Sequence, residues 1–109
     1  MKPAAFDYHA PETIDQALAL LRDHGEEARI LAGGQSLVPT MAFRMARPAV
    51  LVDINRIAAL AFIKAEHDTL RIGALARHAW FETPVAEGPV GRLLATVAHS
   101  IAHAPIRLR

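Results

Sequence analysis

At 109 residues the chain is one small domain or part of a larger one, and by size scaling it can bury roughly two-thirds of its unfolded surface. Hydrophobic residues at 52% against 21% charged mark a globular sequence, no apolar run reaches the roughly 20 residues of a bilayer span, and a net charge of +1 without a basic block argues against nucleic acid. The lack of cysteine excludes disulfides, cysteine-ligated zinc and iron–sulfur clusters held by this chain, so any cluster must belong to a partner.

The start "MKPAAFDYHAPET" has no apolar segment of the secretory kind, and the expected location is the cytoplasm. "AFDYHAP" is short and aromatic and is expected to be a strand. In "TIDQALALLRDHG", Thr13 caps a helix and Gln16 completes a capping box; Ile14, Ala17, Leu18 and Leu21 share one face, and Gly25 ends the element. "ARILA" is a second strand that stops at Gly33 and Gly34. "SLVPTMAFRMA" reads as a short helix with Ser36 at its N-cap and Pro39 in its first turn. The unbroken aliphatic run "AVLVDI" has the character of a parallel strand covered on both faces.

From Leu60 the pattern changes. "LAFIKAEHDTLRIGAL" predicts a hairpin turning at Glu66, His67 and Asp68, with Gly73 breaking its second strand. "ARHAWFETP" predicts a short helix stopped by Pro84, and "EGPVG" a loop. The final helix is expected over Val90 to Ala102, with Leu93, Leu94, Val97 and Ile101 facing the core and Pro105 beyond its end.

The stretch "RILAGGQSLVP" combines bare backbone with a hydroxyl. Two readings are open: a tight strand-to-helix turn, or amides at a helix start that receive an anion such as a phosphate. It lacks the third glycine of G-x-G-x-x-G and the lysine of the P-loop, and Val38 stands where a nucleophile elbow needs glycine. His99 and His103 are four apart, but Ser100 occupies the place of a zincin glutamate, so a structural role is expected for both histidines and no metal is assigned. Structural roles are likewise expected for Trp80 and Phe81, and a solvated face for Arg44 and Arg47.

The run "LAGGQSLVPTMAFRMARPAVLVDINRI" resembles the first flavin motif of the FAD-binding subunit of molybdenum hydroxylases, the family of the carbon monoxide dehydrogenase medium subunit and the xanthine dehydrogenase FAD domain. "FDYHAPETIDQALALL", "RIGALARHAWFE" and "HSIAHAPIRLR" extend the likeness over nearly the whole chain. The resemblance implies an α+β fold of the vanillyl-alcohol-oxidase (PCMH) type of FAD-binding domain, truncated. Residues 1–58 would form the α/β N-terminal FAD-binding subdomain and 59–109 the start of a second α+β subdomain. It further implies that Ala32, Gly33, Gly34, Gln35 and Ser36 line the FAD pyrophosphate with Leu31 and Leu37 beside them, and that Ile101 lies near the flavin.

Family members continue after the segment matching "IRLR" with a second glycine motif, T-I-G-G followed by Ser or Asn, which this sequence does not reach. The implied function is electron transfer from the iron–sulfur clusters of a small subunit, fed by a molybdenum-cofactor large subunit, through FAD to NAD or a quinone-type acceptor. No catalytic acid, base or nucleophile is assigned. Two other readings stay open: a flavin reductase of the same fold acting on a nucleotide sugar, and a non-catalytic fragment, inactive alone.

Overall fold

The elements fold, in a computed structural model that describes residues 1–109, as two units, Met1–Ala59 and Leu60–Arg109. In the first, strand β1 (Asp7–His9) leads to helix α1 (Ile14–His24), and a 3-10 turn over Gly25–Glu27 connects to strand β2 (Ala28–Leu31). Helix α2 (Leu37–Ala42) and strand β3 (Val50–Asp53) follow. β3 lies between β1 and β2 and runs parallel to both, with Leu51 opposite Tyr8 on one side and Arg29 on the other. A central parallel strand is covered on both faces, which is why Val50, Leu51 and Val52 are all buried without alternation.

α1 begins as its sequence predicts. Thr13 Oγ1 accepts the Gln16 amide at 3.2 Å, and Gln16 Oε1 accepts the Glu12 amide at 3.0 Å, one residue earlier than in a strict capping box. The helix packs on β2 and β3 through a stripe narrower than its periodicity suggests. Ala17 is buried and Leu21 half-buried, whereas Ile14 and Leu18 are 43% and 57% exposed. Three strands about 4.8 Å apart make a sheet no wider than the helix itself, and the flanks of the apolar stripe overhang it.

The second unit opens with an antiparallel hairpin of β4 (Ile63–Glu66) and β5 (Thr69–Ile72), pairing Ile63 with Ile72 and Glu66 with Thr69. His67, at φ +50°, and Asp68 make the two-residue turn. A 3-10 turn over His78–Phe81 buries Phe81 and leaves Trp80 exposed, and helices α3 (Pro89–Ala98) and α4 (Ala104–Arg107) complete the unit.

α3 differs from expectation twice. It ends at Ala98 rather than Ala102, and Pro105 lies in the first turn of α4 instead of beyond a single long helix. The last turn tightens, the Ser100 amide donating to the Val97 carbonyl at 2.9 Å and the Ile101 amide to the Ala98 carbonyl at 3.1 Å, and Ala102 takes a left-handed φ of +46°. A helix continued through residue 105 would in addition need its N–H for the Ile101 carbonyl, and proline has none. The Arg107 guanidinium supplies that donor: Nη1 bonds the carbonyls of Ile101 at 3.1 Å and Ala102 at 3.0 Å, while Nε pairs with Glu82 Oε1 at 2.6 Å. His99 and His103 therefore do not share a helical face. His99 Nε2 lies 3.0 Å from the Glu82 carbonyl oxygen, and His103 stands at the start of α4.

The inner face of α3 is also rotated. Gly91 and Ala98 are buried and Leu94 is half-buried, whereas Leu93 and Val97, expected in the core, are 62% and 46% exposed. The cause is close approach: a Cβ on Gly91 would lie 1.9 Å from the Ala86 carbonyl oxygen, so the side without side chains must face the 84–88 loop. Small residues admit the neighbouring backbone, and larger apolar ones turn outward.

Burial separates two leucines that composition treats alike. Leu51→Ala in β3 is expected to cost about 2–5 kcal/mol in denaturant unfolding, and Leu93→Ala on the outer side of α3 less than about 0.5 kcal/mol. Equal costs would mean that the face assigned to α3 is wrong.

Candidate functional site: the glycine turn after β2

The carbonyl of Leu31 accepts the Ile54 amide at 3.0 Å, the last backbone bond between β2 and the chain leaving β3. Ala32 and Gly33 then bend away, Gly34 adopts φ +72°, and Gln35 and Ser36 turn into α2. The left-handed conformation requires glycine, and space requires it again: a Cβ on Gly34 would lie 3.0 Å from Val38 Cγ2 and 3.3 Å from Leu31 Cδ1. The turn closes through its carbonyls, with the Val38 amide donating to Gly34 at 3.0 Å and the Thr40 amide to Ser36 at 3.2 Å. The amide hydrogens of Gly33, Gly34, Gln35 and Ser36 reach no acceptor within the chain. Gly33 and Gly34 are half-buried and Gln35 and Ser36 exposed, so four consecutive backbone donors with no partner in the chain lie open to an external acceptor.

Ser36 does not cap α2 as expected. A capping residue needs extended backbone so that its oxygen can reach back to the second or third amide, but Ser36 has helical angles, φ −103° and ψ −46°, and no side-chain bond to the helix. Its exposed hydroxyl is left available. The Gln35 side chain makes a long 3.4 Å contact with the Gly33 carbonyl. Leu31 and Leu37 are half-buried at the two ends. Leu31 to Leu37 thus form one continuous turn in the first unit. Ile101 belongs to the second unit, where it lines an apolar cavity of about 330 Å³ with Ile72, Phe81, Leu94 and Val97.

Three residues that the sequence reading did not single out support the turn. Asp53, at the end of β3, accepts the Tyr8 hydroxyl on Oδ2 at 2.5 Å; its Oδ1 takes the backbone amide of Asn55 at 2.9 Å and Asn55 Nδ2 at 2.6 Å. Asn55 Nδ2 also donates to the Ala32 carbonyl at 2.9 Å, across 23 residues of sequence. The available signal was "DIN" directly after an apolar strand, since Asp and Asn at a strand end bond nearby backbone. Partial burial pushes the Asp53 carboxyl up, but its bonds from Tyr8 and Asn55 and the nearby Arg56 charge outweigh this and hold it below the usual carboxylate range. The hydrogen bond to Asp53 raises the Tyr8 phenol.

No helix is long and apolar enough to cross a membrane. Residues 4–109 match the family described as the FAD binding domain in molybdopterin dehydrogenase, and the chain belongs to that family, whose cofactor is FAD. It is 49% identical over 109 residues to the 6-hydroxypseudooxynicotine dehydrogenase complex subunit alpha of Paenarthrobacter nicotinovorans, covering 100% of this chain and 37% of that protein. It is 42% identical over 110 residues to the carbon monoxide dehydrogenase medium chain of Hydrogenophaga pseudoflava, covering 100% of this chain and 38% of that one. The solved carbon monoxide dehydrogenase of H. pseudoflava superposes with a TM-score of 0.91 at 42% identity, over all of this chain and 38% of that chain. Quinoline 2-oxidoreductase of Pseudomonas putida 86 gives 0.88 at 35% identity with the same coverage. The fold is therefore the α+β FAD-binding fold of this family, and the chain spans well under half the length of these relatives.

Gly34→Ala is expected to destabilise by about 1–2 kcal/mol, the cost of a left-handed non-glycine residue, in a denaturant titration. A neutral result would show that the φ of +72° is not required. For Asp53 the folded carboxyl is the stronger acid, so its contribution to stability is present above the ordinary carboxylate value and is lost as pH falls through the lowered folded value. The stability gap between the wild type and Asp53→Asn should accordingly close in acid; a gap constant between pH 7 and about pH 2 would contradict the charge-dependent bonds.

Proposed function

We propose that Leu31, Ala32, Gly33, Gly34, Gln35, Ser36 and Leu37 hold the diphosphate of FAD, and that Ile101 contributes an apolar surface near the flavin. The observation that carries this is the run of four free amides from Gly33 to Ser36 on a turn that only glycine can make. A diphosphate presents closely spaced anionic acceptors to which consecutive backbone N–H groups can donate, and a bare backbone lets it approach. Membership of an FAD-binding family supports the identity of the ligand.

In this reading residues 1–58 are the N-terminal FAD-binding subdomain and residues 59–109 begin the second. The whole protein is an FAD subunit of a cytoplasmic molybdenum hydroxylase, working with a molybdenum-cofactor large subunit and an iron–sulfur small subunit. Held by these residues, FAD would supply the redox chemistry for electron transfer between the partner's clusters and NAD or a quinone-type acceptor. This chain's residues bind and orient; none acts as acid, base or nucleophile, and the 109 residues alone do not turn over.

The first turn offers dipoles and a hydroxyl but no fixed positive charge, since "LAGGQSL" contains neither Lys nor Arg. Three or four missing hydrogen bonds at ~1 kcal/mol each correspond to roughly two to three decades of affinity. Calorimetry on this chain and on a form extended through a second T-I-G-G motif should therefore show FAD binding weaker by that factor in the shorter one. Equal affinities would mean that the first turn suffices.

A further inference from the structure

We propose that Asn55 is the positioning residue of the glycine turn, its side-chain amide tying the Ala32 carbonyl to the Asp53 carboxylate so that the free amides of Gly33 to Ser36 are held for a diphosphate. The inference rests on the diphosphate reading above. Beyond the Leu31 carbonyl no backbone bond couples the turn to the sheet, and the next backbone contact, Val38 to Gly34, is internal to the turn and α2. Asn55 Nδ2 to Ala32 at 2.9 Å bridges that gap. Asn55 is itself fixed: its backbone amide and Nδ2 both meet Asp53 Oδ1, and Asp53 is held from its other oxygen by Tyr8. The chain of bonds therefore reaches from β1 through β3 to the residue directly after β2.

Such a device matters because backbone donors bind an anion well only where they already point. Residues left free must be ordered on binding, at a loss of affinity. Asn55 is exposed, so replacing it removes the tether without opening the core.

The test uses the ¹⁵N-labelled 109-residue chain, titrated with FAD and with ADP, which carries the diphosphate without the flavin. In the wild type the amides of Gly33 to Ser36 should shift with both ligands. In Asn55→Ala the order parameters of Gly33 to Gln35 should fall below about 0.6, while those of β3 stay near the rigid value of about 0.85. The Kd for ADP should rise about tenfold. Asn55→Ser, which keeps a single donor, should recover part of both effects. An ADP affinity within about twofold of wild type in Asn55→Ala overturns the positioning role even if the melting temperature falls. If the wild-type amides fail to shift with either ligand, the diphosphate reading itself falls and the positioning role with it.

Discussion

Three hydrogen bonds onto one carboxylate, that of Asp53, organise the edge of the sheet from which the glycine turn departs. Their position follows from topology. Because β3 is parallel to both neighbours, the C-terminal ends of β1, β2 and β3 all lie along one edge. In parallel α/β sheets that edge is where ligands are received, since chains leave the strands there and their first free backbone groups point outward. Tyr8, Ala32 and Asp53 come respectively from β1, from the residue after β2 and from β3, so the bonds through Asp53 and Asn55 join all three strand ends. The pairing that builds the core of the first unit thus also fixes where the candidate site lies.

What could be read from the sequence is what local chemistry decides. Gly34 had to be glycine for φ and for space, the apolar "VLV" had to be a covered strand, and Thr13 with Gln16 had to start a helix; each needs only its neighbours in the chain. The tether from Asn55 to Ala32 spans 23 residues and depends on which strands pair, so no local pattern contains it. The orientation of α3 was hidden for another reason. In "PVGRLLATVA" apolar residues occupy more than one side of the helix, and spacing alone cannot choose among the possible stripes. The choice was made by the Ala86 carbonyl, which admits only a residue without a side chain and so turns Gly91 inward. The early end of α3 shows in its tightened last turn and in the left-handed Ala102, and the carbonyls freed there are met by Arg107 from further along the chain, a contact that no capping rule for residues 98–102 contains.

The two units carry their polar networks in different ways, and the difference bears on function. In the second, Arg107 is largely buried and its pairing with Glu82 and two carbonyls holds a connection between helices, a structural task that occupies every contact described for it. In the first, the bonds converge on Asp53 but stop short of the amides of Gly33 to Ser36, which remain without acceptors. One arrangement closes on itself; the other presents donors outward. A turn that recognises an anion with dipoles alone has no strong charge to pull a misplaced ligand into register, and its selectivity must come from the fixed spacing of its N–H groups. On the proposed diphosphate reading, rigidity there would substitute for charge, and the bonds of Tyr8, Asp53 and Asn55 would hold a segment that bears no charged side chain.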